Sequence, residues 1–578
     1  MRILGISCFY HDAAAAIVCD GVLQAASSEE RISRKKHDPE LPVGAVRYCL
    51  KRTGLEINDL DHVVFYDKPL LKFERILTGY MANPFRSYKA FLAALPIWLR
   101  RKLWVDYVIH KELGYDGEAL FLPHHLSHAA GAFYCSPFEQ AAILTIDGVG
   151  EWANASYGVG DNNRVRLIDE MHYPHSVGLI YSAMTYYLGF RVNSAEYKIM
   201  GLAPYGTPRY ADLIEEKLVT IHDDGSIHLN LDYFTYCHGL TMTGPAMEKL
   251  FGQPRRNPES DLQPFHNDVA ASIQKVTEKI VLRMARHVRE KTGMNNLCMA
   301  GGVALNCRAN GLLLREQIFD NIYIQPAAGD SGGAVGAALY THYQCTKDNK
   351  RPQPFWNLGP VYDDDEIGNF LDRENIPHEA GDVGQLATRA AKAVADGKIV
   401  AIFQGAAEFG PRALGFRSIV ADPRDNTMKE KINAAVKYRE PFRPFAPAVM
   451  AEHAADYFDC QGESPFMLFN FNVHSDKRAT IPAVTHVDNS SRIQTVSAED
   501  NPIFHRLIDE FRKLTGVAVV LNTSFNLRGH PIVNTPEDAF ATFCSGGIDF
   551  VLLGGYIVDK RMVSGALLRK FKFEKSDD

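Results

Sequence analysis

Two histidines four residues apart are the first group in the sequence with the spacing of a metal site. The stretch 123–130 reads P-H-H-L-S-H-A-A. On a helix, His124 and His128 would face the same side, a common metal-binding geometry, although many such pairs are structural or solvated. Asp330, in a glycine-rich turn, is the carboxylate that would complete the set. Two histidines and one aspartate suit Fe(II), and also Zn(II) or Mn(II), and leave positions open for a substrate oxygen.

A third histidine with catalytic potential lies near the start of the chain. His11 and Asp12 follow a strand-like run at 3–7 and precede another at 13–18. A histidine in such a turn either acts as a general base or is a core histidine bonded to its neighbouring aspartate. The charged run 29–37, E-E-R-I-S-R-K-K-H, comes next. It is either a solvated helix face or a cationic arm that reaches a phosphate.

Arginines set among glycines, prolines and aromatic residues recur in the C-terminal half. Rigidly held arginines suit bidentate contacts to phosphates and carboxylates. One such arginine would be a routine salt bridge, whereas four in one part of the chain predict a polyanion site. The four segments are 408–418, 437–447, 485–496 and 520–529.

The elements that must position these residues show an internal echo. A strand, a turn and a second strand occur over residues 3–18, and the theme returns over residues 141–159. Actin-like nucleotide-binding proteins are built from two such halves, each with a turn that faces the phosphates. Residues 296–310 predict a strand, the pair Gly301-Gly302 and a helix. That arrangement favours an anionic ligand at the helix start, or is only a tight turn.

Composition sets the class of protein. The 578 residues are 46% hydrophobic and 23% charged, with a formal net charge of −7. This is a globular balance, and it argues against a nucleic-acid scaffold. The ten cysteines form no C-x-x-C pair, which predicts reduced core thiols in a cytoplasmic protein. The start of the chain does not fit a signal peptide. The apolar stretch at 88–109 holds too many charges to span a membrane.

A change of composition divides the chain. Residues 345–360 are rich in Lys, Asp, Asn, Pro and Gln and form the best linker candidate. We therefore expect one domain over residues 1–350 and another over residues 361–578. Residues 66–113 are aromatic and basic and are predicted to be helical, either as an insertion that covers a cleft or as a surface hairpin.

Taken together, the motifs resemble the O-carbamoyltransferases of natural-product and nodulation-factor biosynthesis, which include tobramycin carbamoyltransferase. The resemblance runs nearly end to end. Each piece is modest alone, and their number and order carry the resemblance. The matching pieces are F-Y-H-D-A (9–13), E-E-R-I-S-R-K-K-H (29–37), H-H-L-S-H-A (124–129), I-D-G (146–148), E-Y-K-I-M-G-L-A-P-Y-G (196–206), A-G-G-V-A-L-N (300–306), G-D-S-G-G-A-x-G-A-A (329–338), F-G-P-R-A-L-G (409–415), R-E-P-F-R-P-F-A-P (439–447), S-P-F-M (464–467), T-H-V-D (485–488) and L-N-T-S-F-N (521–526).

The resemblance implies an α/β protein with two active domains. The N-terminal one would be actin-like, of the Kae1 type, with two duplicated halves, and the C-terminal one would be a YrdC-like α/β domain. In the C-terminal domain, carbamoyl phosphate and ATP would form carbamoyl-adenylate. In the N-terminal domain, the carbamoyl group would pass to a hydroxyl of a small-molecule acceptor, as in antibiotic biosynthesis. The expected cofactors are a divalent metal, foremost Fe(II), with Mg and ATP as co-substrate.

The resemblance also assigns roles residue by residue. His11 and Lys36 take the catalytic positions. The metal ligands are His124, His128 and Asp330. Lys36, Asp147, Gly302 and Asn306 take carbamoyl-adenylate-binding positions. The ATP and carbamoyl-phosphate positions fall on Arg412, Arg443, Arg492, Asn522 and Ser524, with Lys437 as a further addition.

Two alternatives stay open. Threonylcarbamoyl transfer to tRNA uses related domains, but it predicts a basic RNA-binding face, which the net charge of −7 opposes. A non-catalytic actin-like ATP-binding regulator would not need the second polyanion site. The expected partners are therefore carbamoyl phosphate, ATP and a hydroxylated small molecule, with no nucleic acid and no membrane. A homodimer is compatible with the sequence, and the acceptor is not specified by it.

Overall fold

Two five-stranded sheets form the framework of the N-terminal part of the chain. The computed structural model describes residues 1–573, and all statements about the structure refer to them. The first sheet contains β1 (Arg2–Ser7), β2 (Ala14–Cys19), β3 (Val22–Ser28), β4 (His62–Phe65) and β5 (Leu120–Phe121). The second contains β6 (Gln140–Ile146), β7 (Ala153–Asp161) and β8 (Arg164–His172) and, after a hairpin of β9 (Val219–Ile221) and β10 (Ile227–Leu229), β11 (Asn296–Ala300) and β12 (Asn321–Ile324).

The two sheets have the same topology. Their orders are β3-β2-β1-β4-β5 and β8-β7-β6-β11-β12. In each sheet the first three strands in sequence are antiparallel, and the last two continue in parallel from the first. A repeated order with repeated strand directions is the mark of a duplicated half. The predicted actin-like architecture of two halves is therefore confirmed, as is the echo between residues 3–18 and 141–159.

Helices surround and connect these sheets. The long helix α11 is amphipathic, with its apolar face buried, which is how a helix of this length gains its stability. The helices of this part of the chain are α1 (Glu29–Ser33), α2 (Val43–Thr53), α3 (Pro69–Ala82), α4 (Pro84–Ile97), α5 (Val105–Leu113), α6 (His124–Cys135), α7 (Val177–Tyr187), α8 (Glu196–Leu202), α9 (Ala211–Lys217), α10 (Pro245–Phe251), α11 (Pro264–Thr292), α12 (Cys307–Arg315) and α13 (Asp330–Thr346).

Two of these helices exchange sheets. The helix α6 follows the first sheet in sequence but packs on β6 and β11 of the second, whereas α13 follows the second sheet and packs on β1 and β2 of the first. The two helices also pack on each other, and both are buried over nearly their whole length. Their approach is so close that a Cβ built on Gly336 would lie 1.8 Å from the carbonyl oxygen of Ser127. The absence of a side chain at Gly336 therefore allows the two helices to pack this closely.

The C-terminal part of the chain contains an eight-stranded mixed sheet in the order β13-β22-β21-β14-β15-β20-β16-β19. This is the α/β domain that the resemblance predicts. Its elements are α14 (Asp364–Arg373), β13 (Glu379–Ala380), α15 (Val383–Ala395), β14 (Val400–Phe403), β15 (Arg417–Ala421), α16 (Met428–Ile432), β16 (Ala446–Met450), α17 (Ala454–Tyr457), β17 (Asn470–Asn472), β18 (Ser490–Arg492), β19 (Gln494–Val496), α18 (Pro502–Thr515), β20 (Val519–Ser524), α19 (Pro536–Ser545), β21 (Phe550–Leu553), β22 (Tyr556–Asp559) and α20 (Gly565–Lys570).

The chain divides into two compact units. The N-terminal unit comprises Met1–Glu29 and His37–Pro354, and the C-terminal unit comprises Glu30–Lys36 and the chain from Phe355 onward. The short segment Glu30–Lys36 is thus separated in sequence from the rest of its unit. All ten cysteines are free thiols and seven are buried, which agrees with the prediction of reduced core thiols. Among residues 1–573, no helix is both long enough and apolar enough to cross a membrane.

The contact between α6 and α13 leads to a stability prediction. We expect Gly336→Ala to destabilise the protein by about 3 kcal/mol, because the added methyl group must push two buried helices apart. Urea unfolding followed by circular dichroism measures this. Gly79→Ala on α3 is the matched control, because its nearest neighbour would lie at 3.8 Å, and we expect it to be neutral or slightly stabilising. Equal stability of the two variants would contradict the packing argument.

Candidate active site

Four side chains converge at the N-terminal ends of α6 and α13. The Nε2 atom of His124 lies 3.1 Å from that of His128 and 3.1 Å from a carboxylate oxygen of Asp147. Asp330 lies 3.7 Å from His124 and 3.6 Å from His128. One ligand atom from each of the four residues lies within 4.8 Å of every other. The structure therefore brings together the three predicted ligands and adds Asp147 to them.

Secondary structure explains this convergence. His124 and His128 occupy the first turns of α6, as their spacing predicts, and Asp330 is the first residue of α13. Asp147 follows directly on β6, where the buried strand ends. Because α6 and α13 pack tightly, the starts of both helices meet beside the end of that strand. The site thus depends on both duplicated halves.

Neighbouring groups hold these four residues in place. The carboxylate of Glu151 accepts a hydrogen bond from the backbone N–H of His124, and Asp147 accepts one of 2.9 Å from the N–H of Gly302. The ring of His124 packs against that of Tyr66 at 5.2 Å. The intervening His125 faces elsewhere and bonds Thr145, as expected for a residue off the ligand face.

The two carboxylates and the imidazoles of this cluster shift one another's pKa values. Burial opposes protonation of His128, but hydrogen bonds and negative charge from Asp147 and Asp330 outweigh it and raise its pKa to about 9. Although burial opposes ionisation of Asp147, bonds to the two imidazoles hold its pKa well below the usual range. Two adjacent buried carboxylates are stable only with compensating positive charge. Protons on the imidazoles or a cation can supply it.

The donor set fits a divalent transition metal. Two imidazole nitrogens and two carboxylate oxygens, all at least partly buried and pointing at one place, suit Fe(II), Zn(II) and Mn(II). The Nδ1 atoms of His124 and His128 have no hydrogen-bond partner among residues 1–573. The imidazole atoms that face the two carboxylates are the Nε2 atoms.

His11 lies beside this cluster in the turn between β1 and β2. Its Nδ1 is 2.9 Å from Asp12, and its Nε2 is 3.8 Å from Asp330. Asp12 also contacts Nδ1 of His37 at 2.7 Å. Burial disfavours the charged imidazole, but Asp330 and Asp12 outweigh burial and raise the pKa of His11 to about 9. The sequence allows two interpretations of His11, a histidine bonded to Asp12 or a general base. The bond to Asp12 is present, and the position of His11 beside the cluster is compatible with a general base as well.

The His11 turn has an unusual backbone. Phe9 and Asp12 both have positive φ, at 72° and 52°. Such a conformation costs non-glycine residues of the order of 1–3 kcal/mol each, and it often occurs at functional sites. The sequence pattern indicates no role for Asp12 beyond a bond to His11, and the positive φ angles of this turn could not be recognised from it.

The remaining predicted residues of this unit lie next to the cluster or support its loop. Gly302 begins a 3₁₀ turn after Gly301, whose φ of 92° and close approach to the Ile146 carbonyl require glycine. Asn306 caps α12 and exchanges two amide hydrogen bonds with Gln274. The amide of Asn306 is thus engaged within the protein.

A second group of polar residues lies along β20 in the C-terminal unit. Asn522 and Ser524 are two residues apart on this strand and so share a face. The Asn522 amide donates to the carbonyl of Ala413, next to Arg412, and to Gln494, two residues after Arg492. The hydroxyl of Ser524 lies 3.2 Å from Nζ of Lys437. The strand therefore links the predicted arginine segments to one another.

Lys437 is the centre of a cationic group. It is buried and also donates to the backbone and side-chain oxygens of Asn526. Burial, reinforced by the positive charges of Arg439, Arg443 and Lys36, holds its pKa well below the usual range for lysine. Positive groups that disfavour one another's charge in this way are stabilised by an anion. Four of the predicted residues, namely Lys36, Lys437, Arg443 and Ser524, therefore belong to one neighbourhood.

The segment Glu30–Lys36 is attached to its unit by two arginines that the sequence analysis did not select. Arg34 donates to the carbonyls of Ile532 and Pro531 and lies 3.4 Å from Asp538. Arg31, which is buried, donates to the carbonyl of Gly410. The run E-E-R-I-S-R-K-K-H is thus not a solvated helix face, and its role as a cationic arm toward a phosphate stays a prediction. Its arginines hold it, and Lys36 follows them.

Comparison with known protein families accounts for most of the chain. Residues 2–339 match the family described as carbamoyltransferase N-terminus, and residues 391–560 match the one described as carbamoyltransferase C-terminus. The first match covers the two five-stranded sheets, and the second covers most of the eight-stranded sheet. All the site residues described above lie within one of these two matches.

Relatives of similar length agree with this. The chain is 48% identical to the uncharacterized protein sll1178 of Synechocystis sp., with 97% of each chain covered. It is 39% identical to the nodulation protein NolNO of Sinorhizobium fredii over 96% of this chain and 80% of that protein. It is also 39% identical to the nodulation protein NolO of Bradyrhizobium diazoefficiens, over 76% and 79%. The chain is a member of the carbamoyltransferase family.

Proposed function

We propose that this carbamoyltransferase is an ATP-dependent O-carbamoyltransferase that works in two steps. In the domain at 361–578, together with Lys36, water cleaves carbamoyl phosphate to carbamate and phosphate, and a carbamate oxygen then attacks the α-phosphorus of ATP to give carbamoyl-adenylate and pyrophosphate. In the domain at 1–350, the carbamoyl group is transferred to a hydroxyl of a small-molecule acceptor, foremost a natural product. We expect both steps in the cytoplasm, where both co-substrates are made.

The cationic group around β20 supports the first step. Carbamoyl phosphate and the ATP phosphates are small polyanions, and Arg443 with Lys437 offers them charge and hydrogen-bond donors. Arg412, Arg492, Asn522 and Ser524 would complete this site. The depressed pKa of Lys437 favours binding of an anion, since a bound phosphate would stabilise the lysine's charged form.

The buried cluster of four ligands is the observation that carries the second step. His124, His128, Asp147 and Asp330 would hold a divalent metal, foremost Fe(II), with Zn(II) and Mn(II) as alternatives. When bound, that ion would supply positive charge for the phosphate of the leaving AMP. Asp147, Gly302 and Asn306 are the proposed contacts to the adenylate in this domain.

His11 is the proposed general base. Its Nδ1–H donates to Asp12, and Nε2 can accept a proton only in the neutral imidazole. Because Asp330 and Asp12 raise the pKa of His11 to about 9, the neutral form is favoured above that pH, or when a cation bound at the cluster offsets the charge of Asp330. Nε2 points toward Asp330, on the side of the ligand cluster, so an acceptor hydroxyl held there would be within reach. A positioned base of this kind contributes about 10²–10⁴-fold in rate. Asp12 acts through His11, as a positioning residue.

The first step can be tested at Arg443. We expect Arg443→Ala to lower carbamoyl-phosphate-dependent release of AMP and pyrophosphate at least about a hundredfold, because a charged donor to the polyanion is lost. Mass spectrometry without any acceptor measures this release. Arg506→Ala, on the exposed surface of α18, is the matched control and should keep the wild-type rate. If Arg443→Ala also keeps it, or if only ADP is formed, the proposed adenylation is wrong.

The second step can be tested at His128. We expect His128→Ala to weaken binding of Fe(II) or Zn(II) by more than the ~10–100-fold that loss of an outer contact costs. Competition with a coloured chelator measures the affinity. Release of pyrophosphate from ATP in the presence of carbamoyl phosphate should persist in this variant, since the adenylation step is assigned to the other unit. His172→Ala removes an exposed imidazole and serves as the control. Unchanged metal affinity in His128→Ala would overturn the ligand assignment.

A further inference from the structure

Residues 69–113 expose an unusual amount of apolar surface. These residues form α3, α4 and α5, with a π-helical turn at Trp98–Lys102, and are named the helical arm below. Ten of the twenty-one large hydrophobic side chains that are exposed among residues 1–573 lie between residues 70 and 107. Phe85 is 99% exposed, Met81 77% and Leu70 71%. Large apolar side chains that are exposed in such number within one segment indicate an interaction site.

The inner side of the helical arm is well packed, so its exposed side is not the result of a loosely folded segment. Lys72 is buried and forms an ion pair with Asp67. The ring of Phe73 packs on buried Trp98 at 5.6 Å, and Tyr80 packs edge-on against Phe91. On α5, three apolar residues are buried. The arm therefore has one face that is satisfied by the protein and one that is not.

The helix α4 shows this division most clearly. Ser87 and Ala90 are buried on its inner side. On the outer side, Phe85, Tyr88 and Leu92 follow one another at helical spacing and are all exposed. A neighbouring stripe of the same outer surface carries Arg86 and Lys89 at the same spacing, both exposed. The outer face of α4 thus combines apolar and basic side chains.

The charge of the helical arm is opposite in sign to that of the whole chain. Residues 69–113 contain eight Lys and Arg against three Asp and Glu, whereas the chain has a formal net charge of −7. Four of the eight are exposed, as are the three acids, and on α4 the charged residues are Arg86 and Lys89 alone. The exposed aromatic residues of the arm are Phe85, Tyr88, Trp104 and Tyr107. Leucine and aromatic side chains among lysines and arginines are typical of helices that lie in the interface of an anionic membrane. The charges that prevent this stretch from spanning a bilayer suit it to lie on one.

We propose that the outer face of the helical arm docks on the surface of an anionic lipid bilayer. The apolar side chains would enter the headgroup region, and the basic ones would contact acidic headgroups. The expectation of no membrane partner rested on the absence of a membrane-spanning helix and of a signal peptide from the sequence pattern, and neither is needed for docking on a membrane surface. The arm is connected to the catalytic turn, because Lys102 donates to the carbonyl of Phe9, two residues before His11. Docking would therefore hold this turn at a fixed place relative to the membrane surface.

Vesicle co-sedimentation of the full chain tests this proposal. We expect binding to vesicles of phosphatidylcholine with 30% phosphatidylglycerol, weakening with added salt, and none to phosphatidylcholine alone. The double variants Phe85→Ser/Leu92→Ser and Arg86→Glu/Lys89→Glu should each lower the affinity at least about tenfold. Leu240→Ser/Leu514→Ser removes two leucines that are also exposed but lie outside the arm, and should bind as the wild type does.

Fluorescence quenching and thermal unfolding test whether the arm itself contacts the lipid and whether the variants remain folded. Brominated lipids should quench fluorescence of the wild type but quench Trp104→Phe less, since Trp104 lies on the outer face. Thermal unfolding of each variant should match the wild type, because all substituted side chains are exposed. The proposal is overturned if the wild type does not bind the anionic vesicles, or if both double variants bind them as tightly as the wild type does. So does light scattering that shows a dimer abolished by Phe85→Ser/Leu92→Ser without vesicle binding, because a second copy would then cover the face.

Discussion

The N-terminal unit is organised by the burial of two carboxylates beside two imidazoles. Asp147 and Asp330 cannot share a buried site without positive charge close by, and His124 and His128 face them at distances of 3.1–3.7 Å. The duplicated fold delivers these groups from both halves. One half supplies the His11 turn and the start of α6, and the other supplies the Asp147 turn and the start of α13. Tight packing at Gly336 brings the two helix starts together.

In the C-terminal unit the clustered charges are positive rather than negative. Its positive groups gather around β20 with Lys437 buried among them, an arrangement that a bound anion would stabilise. Structure also distinguishes arginines that the sequence presents alike. Arg417, five residues after Arg412, is fully buried, donates to backbone carbonyls and lies over the ring of Phe403, which makes it a core residue. Arg31 and Arg34 similarly hold a short segment in place. An arginine in such a motif can therefore be structural, and its residue type alone does not show that it contacts a ligand.

Much of this could be predicted from the sequence because local spacing carries it. The helix under His124 and His128, the turn at Gly301-Gly302 and the repeated strand pattern all follow from residues close together in the chain. What could not be predicted depends on contacts between distant residues. Asp147 joins the ligand cluster from a position 183 residues before Asp330, and Asp12 pairs with His37 only because the turn adopts a left-handed backbone. The outward face of the helical arm also required knowing which side of each helix was already packed.

The central claim is that the four converging side chains form a metal centre. Anomalous X-ray diffraction from crystals grown anaerobically with Fe(II), recorded on both sides of the iron absorption edge, tests it directly. The account predicts one strong anomalous peak within coordination distance of His124 Nε2, His128 Nε2 and the carboxylates of Asp147 and Asp330. Crystals soaked with Zn(II) or Mn(II) and measured at their own edges would show which ions the site accepts. A peak elsewhere, or none of the three metals at this place, would contradict it.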